Sequence, residues 1–302
     1  MEDFSFKIIA SQSSHNAAVY GLSKSNGNHS FFSASGDRFI AEWNGTSLAQ
    51  EAFAIKLEEA AYVVFAIPNS GKIAIGTASG AIHIVDRESK QEIKNLAVHR
   101  NGVYAFAFLQ EQEMLISCGG DGSLALWSTA NWNLIRQLPI GDFKIRSIAA
   151  TSDEKHIAIG CGDGTIRVLE TNFFNEIHTI KAHQDGVGAL QFMATKPVLL
   201  SGGKDGFLRV WNLKDNYTQL LELPAHYSAI YSIALSQDEK HLVTTSRDKS
   251  FKLWKLPEFE VFQRVEARDG GHSHSVNGAL WLSNSEFVTC GDDRKIILSS
   301  IS

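Results

Sequence analysis

Cysteine is scarce: Cys118, Cys161 and Cys290 are the three in 302 residues, and no two share a CxxC spacing. An odd set without pairing motifs excludes a disulfide framework and fits a reduced, cytoplasmic protein. Basic charge is also lacking, with 28 lysines and arginines against 33 acidic residues, a net charge of -5. That balance argues against nucleic-acid binding, which normally needs a basic field over the binding face. No apolar run has the length needed to span a bilayer. The opening MEDFSFKIIASQ carries neither the basic nor the apolar region of a secretion signal. A hydrophobic content of 44% is that of an ordinary globule. A compact chain of this size buries roughly three quarters of its unfolded surface, so it needs no metal or disulfide staple.

The chain does have a repeat. LLSGGKDGFLRVWN at 199–212 recurs as FFSASGDRFIAEWN at 31–44, LISCGGDGSLALWS at 115–128 and LVTTSRDKSFKLWK at 242–255. Weaker copies are IAIGTASGAIHIVD at 73–86, IAIGCGDGTIRVLE at 157–170 and FVTCGDDRKIILSS at 286–299. Taking Asp37, Ser79, Asp121, Asp163, Asp205, Asp248 and Asp292 as their centres, the period is 42 to 44 residues. In each unit two strand-like segments flank a Gly/Ser/Asp turn, the signature of a hairpin. A further short apolar strand precedes each hairpin and another follows it. With no helical periodicity between them, this predicts all-β units of four strands, labelled a to d. A β-sandwich would not need seven near-equal units. The glycines of 199–212 are turn residues, because a phosphate-binding P-loop would open a helix, and here the chain runs into another strand.

The period, the four-strand plan, the loop histidines and the Asp-x5-Trp hairpins together resemble the WD-repeat β-propellers. The resemblance implies a seven-bladed all-β propeller of four-stranded antiparallel blades, one domain over residues 1–302. The last unit stops after its third strand, so FSFKIIA at 4–10 is expected to complete the blade of residues 272–302 and close the ring. The eponymous Trp-Asp pair is intact in no unit.

Four units carry a set that mimics a Ser-His-Asp catalytic triad: His15, Ser33, Asp37 and Trp43; His99, Ser117, Asp121 and Trp127; His183, Ser201, Asp205 and Trp211; His226, Thr244, Asp248 and Trp254. A nucleophilic site occurs once, beside an oxyanion hole, whereas this set occurs once per repeat. The resemblance implies structural tetrads that hydrogen-bond the d–a loop to the b–c hairpin. Units two, four and seven lack the full set: Glu58 and Gly141 stand for the histidine, Ser79 for the aspartate, and Val85, Leu169 and Leu298 for the tryptophan. In unit seven His272 and Asp292 are 20 residues apart, two fewer than the usual 22, so a tighter a–b turn is expected. These three blades are expected to be held mainly by apolar packing.

The residue before each hairpin aspartate, and those three and five after each loop histidine, should face one end of the channel. Most are small. Tyr20, Tyr104, Lys144, Arg146, Lys204, Tyr231 and Arg247 are not, and the basic ones come from adjacent units four, five and six. Aromatic and arginine side chains commonly anchor interfaces. The expectation is a non-enzymatic scaffold, monomeric or within a larger complex, that binds a protein or peptide partner through an acidic or phosphorylated segment. The alternative is a sensor of a small ligand or modified peptide at the channel mouth. No cofactor, metal or catalytic residue is expected.

Overall fold

Alternation of β-branched and small residues over five to seven positions, punctuated by turns, gives strands that bury both faces. In the computed structural model, which describes residues 5–26 and 29–302, such strands form seven four-stranded antiparallel sheets. The first blade consists of β2 (Val19–Lys24), β3 (Ser30–Ser35), β4 (Phe39–Asn44) and β5 (Gln50–Lys56), paired in chain order. Five more blades repeat that meander. The last differs: β26 (Val276–Trp281), β27 (Glu286–Gly291) and β28 (Ile296–Ile301) are completed on the outside by β1 (Phe6–Gln12). β1 runs antiparallel to β28 with Phe6 opposite Ile301 and Gln12 opposite Ile296. The ring therefore closes through its N-terminal strand; Phe4 lies outside the described residues.

The first strands of neighbouring blades pack against one another all the way round, β2 against β26 included. The core is divided accordingly among the contacts between blades. Phe32, Ile40, Val64 and Ile75 fill the space between blades one and two. Val19, Phe31, Trp43, Val288 and Leu298 fill the space across the closure. All three cysteines lie buried as free thiols.

Polar staples cross between blades at the opposite end from the hairpins. The turns DEKH at 153–156 and 238–241 each send a glutamate back to the preceding blade. Glu154 accepts the amides of Gln110 and Glu111 at 2.8 and 3.0 Å, and Glu239 accepts those of Ala194 and Thr195. Buried Glu42 of blade one receives Arg87 of blade two in a two-pronged pair, Nε–Oε2 3.1 Å and Nη2–Oε1 2.8 Å.

One irregularity is repeated seven times. At the start of every innermost strand the register slips by one residue, for example between Val19 and Gly21 and between Ala61 and Val63. The other slips skip Tyr104, Arg146, Gly188, Tyr231 and Asn277. A β-bulge frees the extra residue from the ladder and re-aims its side chain. Here the freed residues are Tyr20, Tyr62, Tyr104, Arg146, Gly188, Tyr231 and Asn277.

Candidate functional site

The four full tetrads share one geometry. Trp43 Nε1 donates to Ser33 Oγ at 2.7 Å, Ser33 Oγ lies 2.8 Å from His15 Nε2, and His15 Nδ1 lies 2.9 Å from Asp37. The matching His–Ser(Thr) separations are 2.8 Å at His99, His183 and His226. Trp127, Trp211 and Trp254 donate to Ser117, Ser201 and Thr244 at 2.9 to 3.0 Å. Indole N–H donates only, so the hydroxyl proton is left for Nε2 and the Nδ1 proton for the carboxylate. The arrangement imitates a hydrolase relay, yet Ser33, Ser117, Ser201 and Thr244 are 0% exposed. No substrate carbonyl can reach hydroxyls so enclosed. Each aspartate also accepts the backbone N–H that follows its histidine, from Asn16, Arg100, Gln184 and Tyr227. The tetrad thus ties the d–a loop to the hairpin.

Burial pushes the carboxyls of Asp205 and Asp248 up, but hydrogen bonds from His183 and Arg209, and from His226 and Ser250, more than offset it and hold both far below the carboxylate range. Burial lowers the affinity of His226 for a proton, against the opposing pull of Asp248. The unfolded chain, with carboxylates near 4 and imidazole near 6.5, binds more protons than the fold on descending through each window. Stability should therefore decline from about pH 6.5 as His226 is forced to stay neutral, and again below about pH 4. Thermal melts from pH 8 to pH 3 would show it; a melting temperature that rises between pH 7 and 5 would contradict it.

In blades two, four and seven the structure corrects the sequence reading. Blade seven has a lock: His272 Nδ1 meets Asp293, not Asp292, at 2.8 Å, and Nε2 meets Thr289 Oγ1 at 3.0 Å. The a–b turn is shorter by one residue, not two. Ser299 rather than Leu298 stands in the tryptophan position, opposite Phe287 as Trp43 stands opposite Phe31. In blade two Glu59, not Glu58, enters the lock with reversed polarity, accepting Ser79 N–H at 2.9 Å and Ser79 Oγ at 2.5 Å. Blades two and seven thus carry polar ties beside their apolar packing. In blade four Asp163 bonds only its own hairpin, through Thr165 N and Oγ1. Its loop is held instead by Arg167, which donates to the Ile140 carbonyl at 3.0 Å and lies 5.2 Å above the Phe143 ring.

The shift to Asp293 moves Asp292 into the position before the hairpin aspartate. That position reads Gly36, Ala78, Gly120, Gly162, Lys204, Arg247 and Asp292 round the ring. Each donates its N–H to the residue three beyond the loop-histidine position, as Lys204 does to Gly186 and Asp292 to Ser275, both at 2.9 Å. Two concentric rings result, one from these turns and one from the bulges. They enclose a cavity of about 790 Å³ at the channel mouth, lined by Tyr20, Tyr62, Tyr104, Arg146, Lys204, Tyr231 and Arg247 among others.

Six of the seven channel-face candidates therefore meet in one cavity. Lys144 does not; it is exposed in the d–a loop, and its carbonyl accepts Gly162 N–H at 2.8 Å. Tyr62, Asp185, Asn277 and Asp292 join the lining. Tyr62 is five residues beyond Leu57, the true histidine position of unit two; counting from Glu58 points to Val63 instead. The rings of Tyr20 and Tyr62 meet edge to face with centroids 5.3 Å apart, and Tyr62 and Tyr104 stack at 5.8 Å. The Arg146 guanidinium lies 5.1 Å above Tyr104.

Seven sheets of one meander, locked blade by blade and enclosing a polar mouth, define a seven-bladed β-propeller built from WD-type repeats. The family model of the WD domain, G-beta repeat, matches residues 90–128, 132–169, 174–212, 217–255 and 265–298. The chain belongs to the WD40-repeat family. It is 24% identical over 268 residues to telomerase protein component 1 of Mus musculus, covering 87% of this chain and 10% of that protein. It is also 28% identical over 228 residues to transducin beta-like protein 3 of Rattus norvegicus, covering 70% of this chain and 28% of the relative. With WD repeat and FYVE domain-containing protein 1 of Mus musculus it shares 25% over 194 residues, 62% of this chain and 47% of the relative. The chain thus spans between a tenth and a half of the length of these relatives. No helix among the described residues is long and apolar enough to cross a membrane.

Proposed function

We propose that the protein is a non-enzymatic scaffold that binds partner proteins or peptides on the face formed by the d–a and b–c loops, and that it favours an acidic or phosphorylated segment. One observation carries this reading. Arg146, Lys204 and Arg247 come from three consecutive blades and line the same cavity. Among the described residues none of the three has a salt bridge, although acidic residues outnumber basic ones in the chain. Unneutralised cations beside aromatic rings suit charge-assisted recognition. The same reading places the protein in the cytoplasm, which its three free thiols suit.

Reversing all three charges (Arg146→Glu, Lys204→Glu, Arg247→Glu) should remove partners that wild type retains in affinity capture from the native host. The melting temperature should be preserved, because none of these side chains belongs to a tetrad. An unchanged set of captured proteins from the folded variant would refute the assignment. A small-ligand or modified-peptide sensor is the second reading, favoured by a cavity volume inside the range of about 300–1,000 Å³ typical of ligand pockets.

A further inference from the structure

We propose that the channel mouth reads two adjacent features of one peptide: a phosphorylated side chain held by Arg146, Lys204 and Arg247, and a flat aromatic side chain close to it in sequence, laid against the wall of Tyr20, Tyr62 and Tyr104. This deepens the partner-binding reading above and rests on it.

The cavity is polarised. Its tyrosines follow one another on blades one, two and three, with centroids 5.3 and 5.8 Å apart. Its cations follow on blades four, five and six. The two arcs join where Arg146 lies 5.1 Å above Tyr104, so an anion on Arg146 sits about one side chain from an aromatic surface. Aromatic pairs gain from edge-to-face and offset contacts beyond the area they bury. Burial pushes the Tyr20 phenol up, with Asp292 and Tyr62 adding to the effect, so that ring stays neutral beside a bound anion.

Room for the group comes from blade five. Its bulge position is Gly188, where a Cβ would stand 2.3 Å from the Ile230 carbonyl oxygen. Only glycine fits there, and the wall recedes between Arg146 and Tyr231. Three unpaired cations around that recess exceed what one carboxylate neutralises, whereas a phosphoryl group carries about -1.5 to -2 at neutral pH.

A nucleic-acid strand would also offer rings and phosphates. It is disfavoured because Asp185 and Asp292 line the same cavity and the chain is net acidic. One doubly charged group can pass between those carboxylates; a run of phosphates meets both.

The test uses the purified full chain and an oriented library of peptides with fixed phosphoserine and degenerate flanks, followed by fluorescence anisotropy on single peptides. The expected result is selection of Trp, Tyr or Phe within two positions of the phosphoserine, with binding about tenfold tighter than for alanine there, close to 1.4 kcal/mol. Tyr62→Leu, which keeps apolar bulk but removes the flat ring, should abolish the aromatic preference and leave the phosphate dependence. Tyr62→Ala should do the same, and both should melt like wild type. Lys204→Glu should abolish both features. Phosphopeptides that bind without aromatic preference would overturn the two-part site while sparing the partner reading. Failure of every phosphopeptide, or tighter binding of a single-stranded oligonucleotide at the same mouth, would overturn the proposal itself.

Discussion

A chain lacking residues 1–12 is expected to melt at least about 5 °C below the full chain, equivalent to a loss of roughly 3–5 kcal/mol. The strand removed is short, but it closes the ring. β1 supplies the outer ladder of the last blade from Phe6 to Gln12, and its Phe6 ring meets Phe251 and Phe287 at centroid distances of 6.1 and 6.5 Å. Ile8 packs into the same cluster and Ala10 into the one across the closure. Burying one phenylalanine is worth about 1.5–3 kcal/mol by itself. Removal would also leave β28, with Ile297 and Leu298 at 0% exposure, as a bare apolar edge open to pairing between molecules. Scanning calorimetry with light scattering reads both effects. A truncated chain that stays dispersed and melts within 2 °C of wild type, a difference below about 1 kcal/mol, would show that the latch is dispensable.

The second large effect concerns two hairpin aspartates with the same sequence role and different surroundings. Asp205→Ala should destabilise by about 3 kcal/mol, and Asp163→Ala by about 1 kcal/mol or less. The Asp205 carboxylate is 2.9 Å from His183 Nδ1, 2.8 Å from Arg209 Nη1 and accepts Phe207 N–H at 3.1 Å. Its removal leaves the largely buried Arg209 guanidinium with Glu222 alone and takes the carboxylate away from the His183 imidazole, which costs more than a neutral hydrogen bond returns. Asp163 holds nothing beyond Thr165, and the Arg167 bridge of its blade survives the substitution. Urea denaturation of both variants gives the comparison. Equal losses would mean that the tetrads contribute nothing beyond hairpin geometry.

Most of the ring was legible because each unit repeats its turn chemistry in register, and a period seen seven times leaves little freedom for topology. In blades two and seven the register read from the residues differs from the structure by a single residue. Adjacent acids concealed the lock of blade seven: Asp292 and Asp293 both suit a hairpin, and only His272 decides between them. Arg294 supplies an independent marker. It has φ 68°, as Arg38 has 74° and Lys249 70°, and Gly122 and Gly206 fill the same left-handed position. Glycine meets that requirement without strain, but three of the seven blades place a charged side chain there, which hides it from inspection. The slip in unit two had the larger effect on the site, because Tyr62 falls in register only when Leu57, an apolar residue, is counted as a histidine position. Lys144 was misplaced for another reason. Its position contributes its backbone to the turn, so residue type carries no information about where the side chain goes.

The repeated bulge has a consequence for how such a ring changes over time. A residue ejected from the ladder is freed from strand pairing and its side chain faces the channel, where Asn277 and Tyr104 make hydrogen bonds of their own, to Val19 and Asp292 and to Asn101. Tyrosine, arginine, glycine and asparagine all occupy that position in this one chain. Except where a neighbouring backbone crowds it, as Ile230 crowds Gly188, each position can be exchanged without disturbing the locks behind it. Recognition can then drift one blade at a time while the frame holds still.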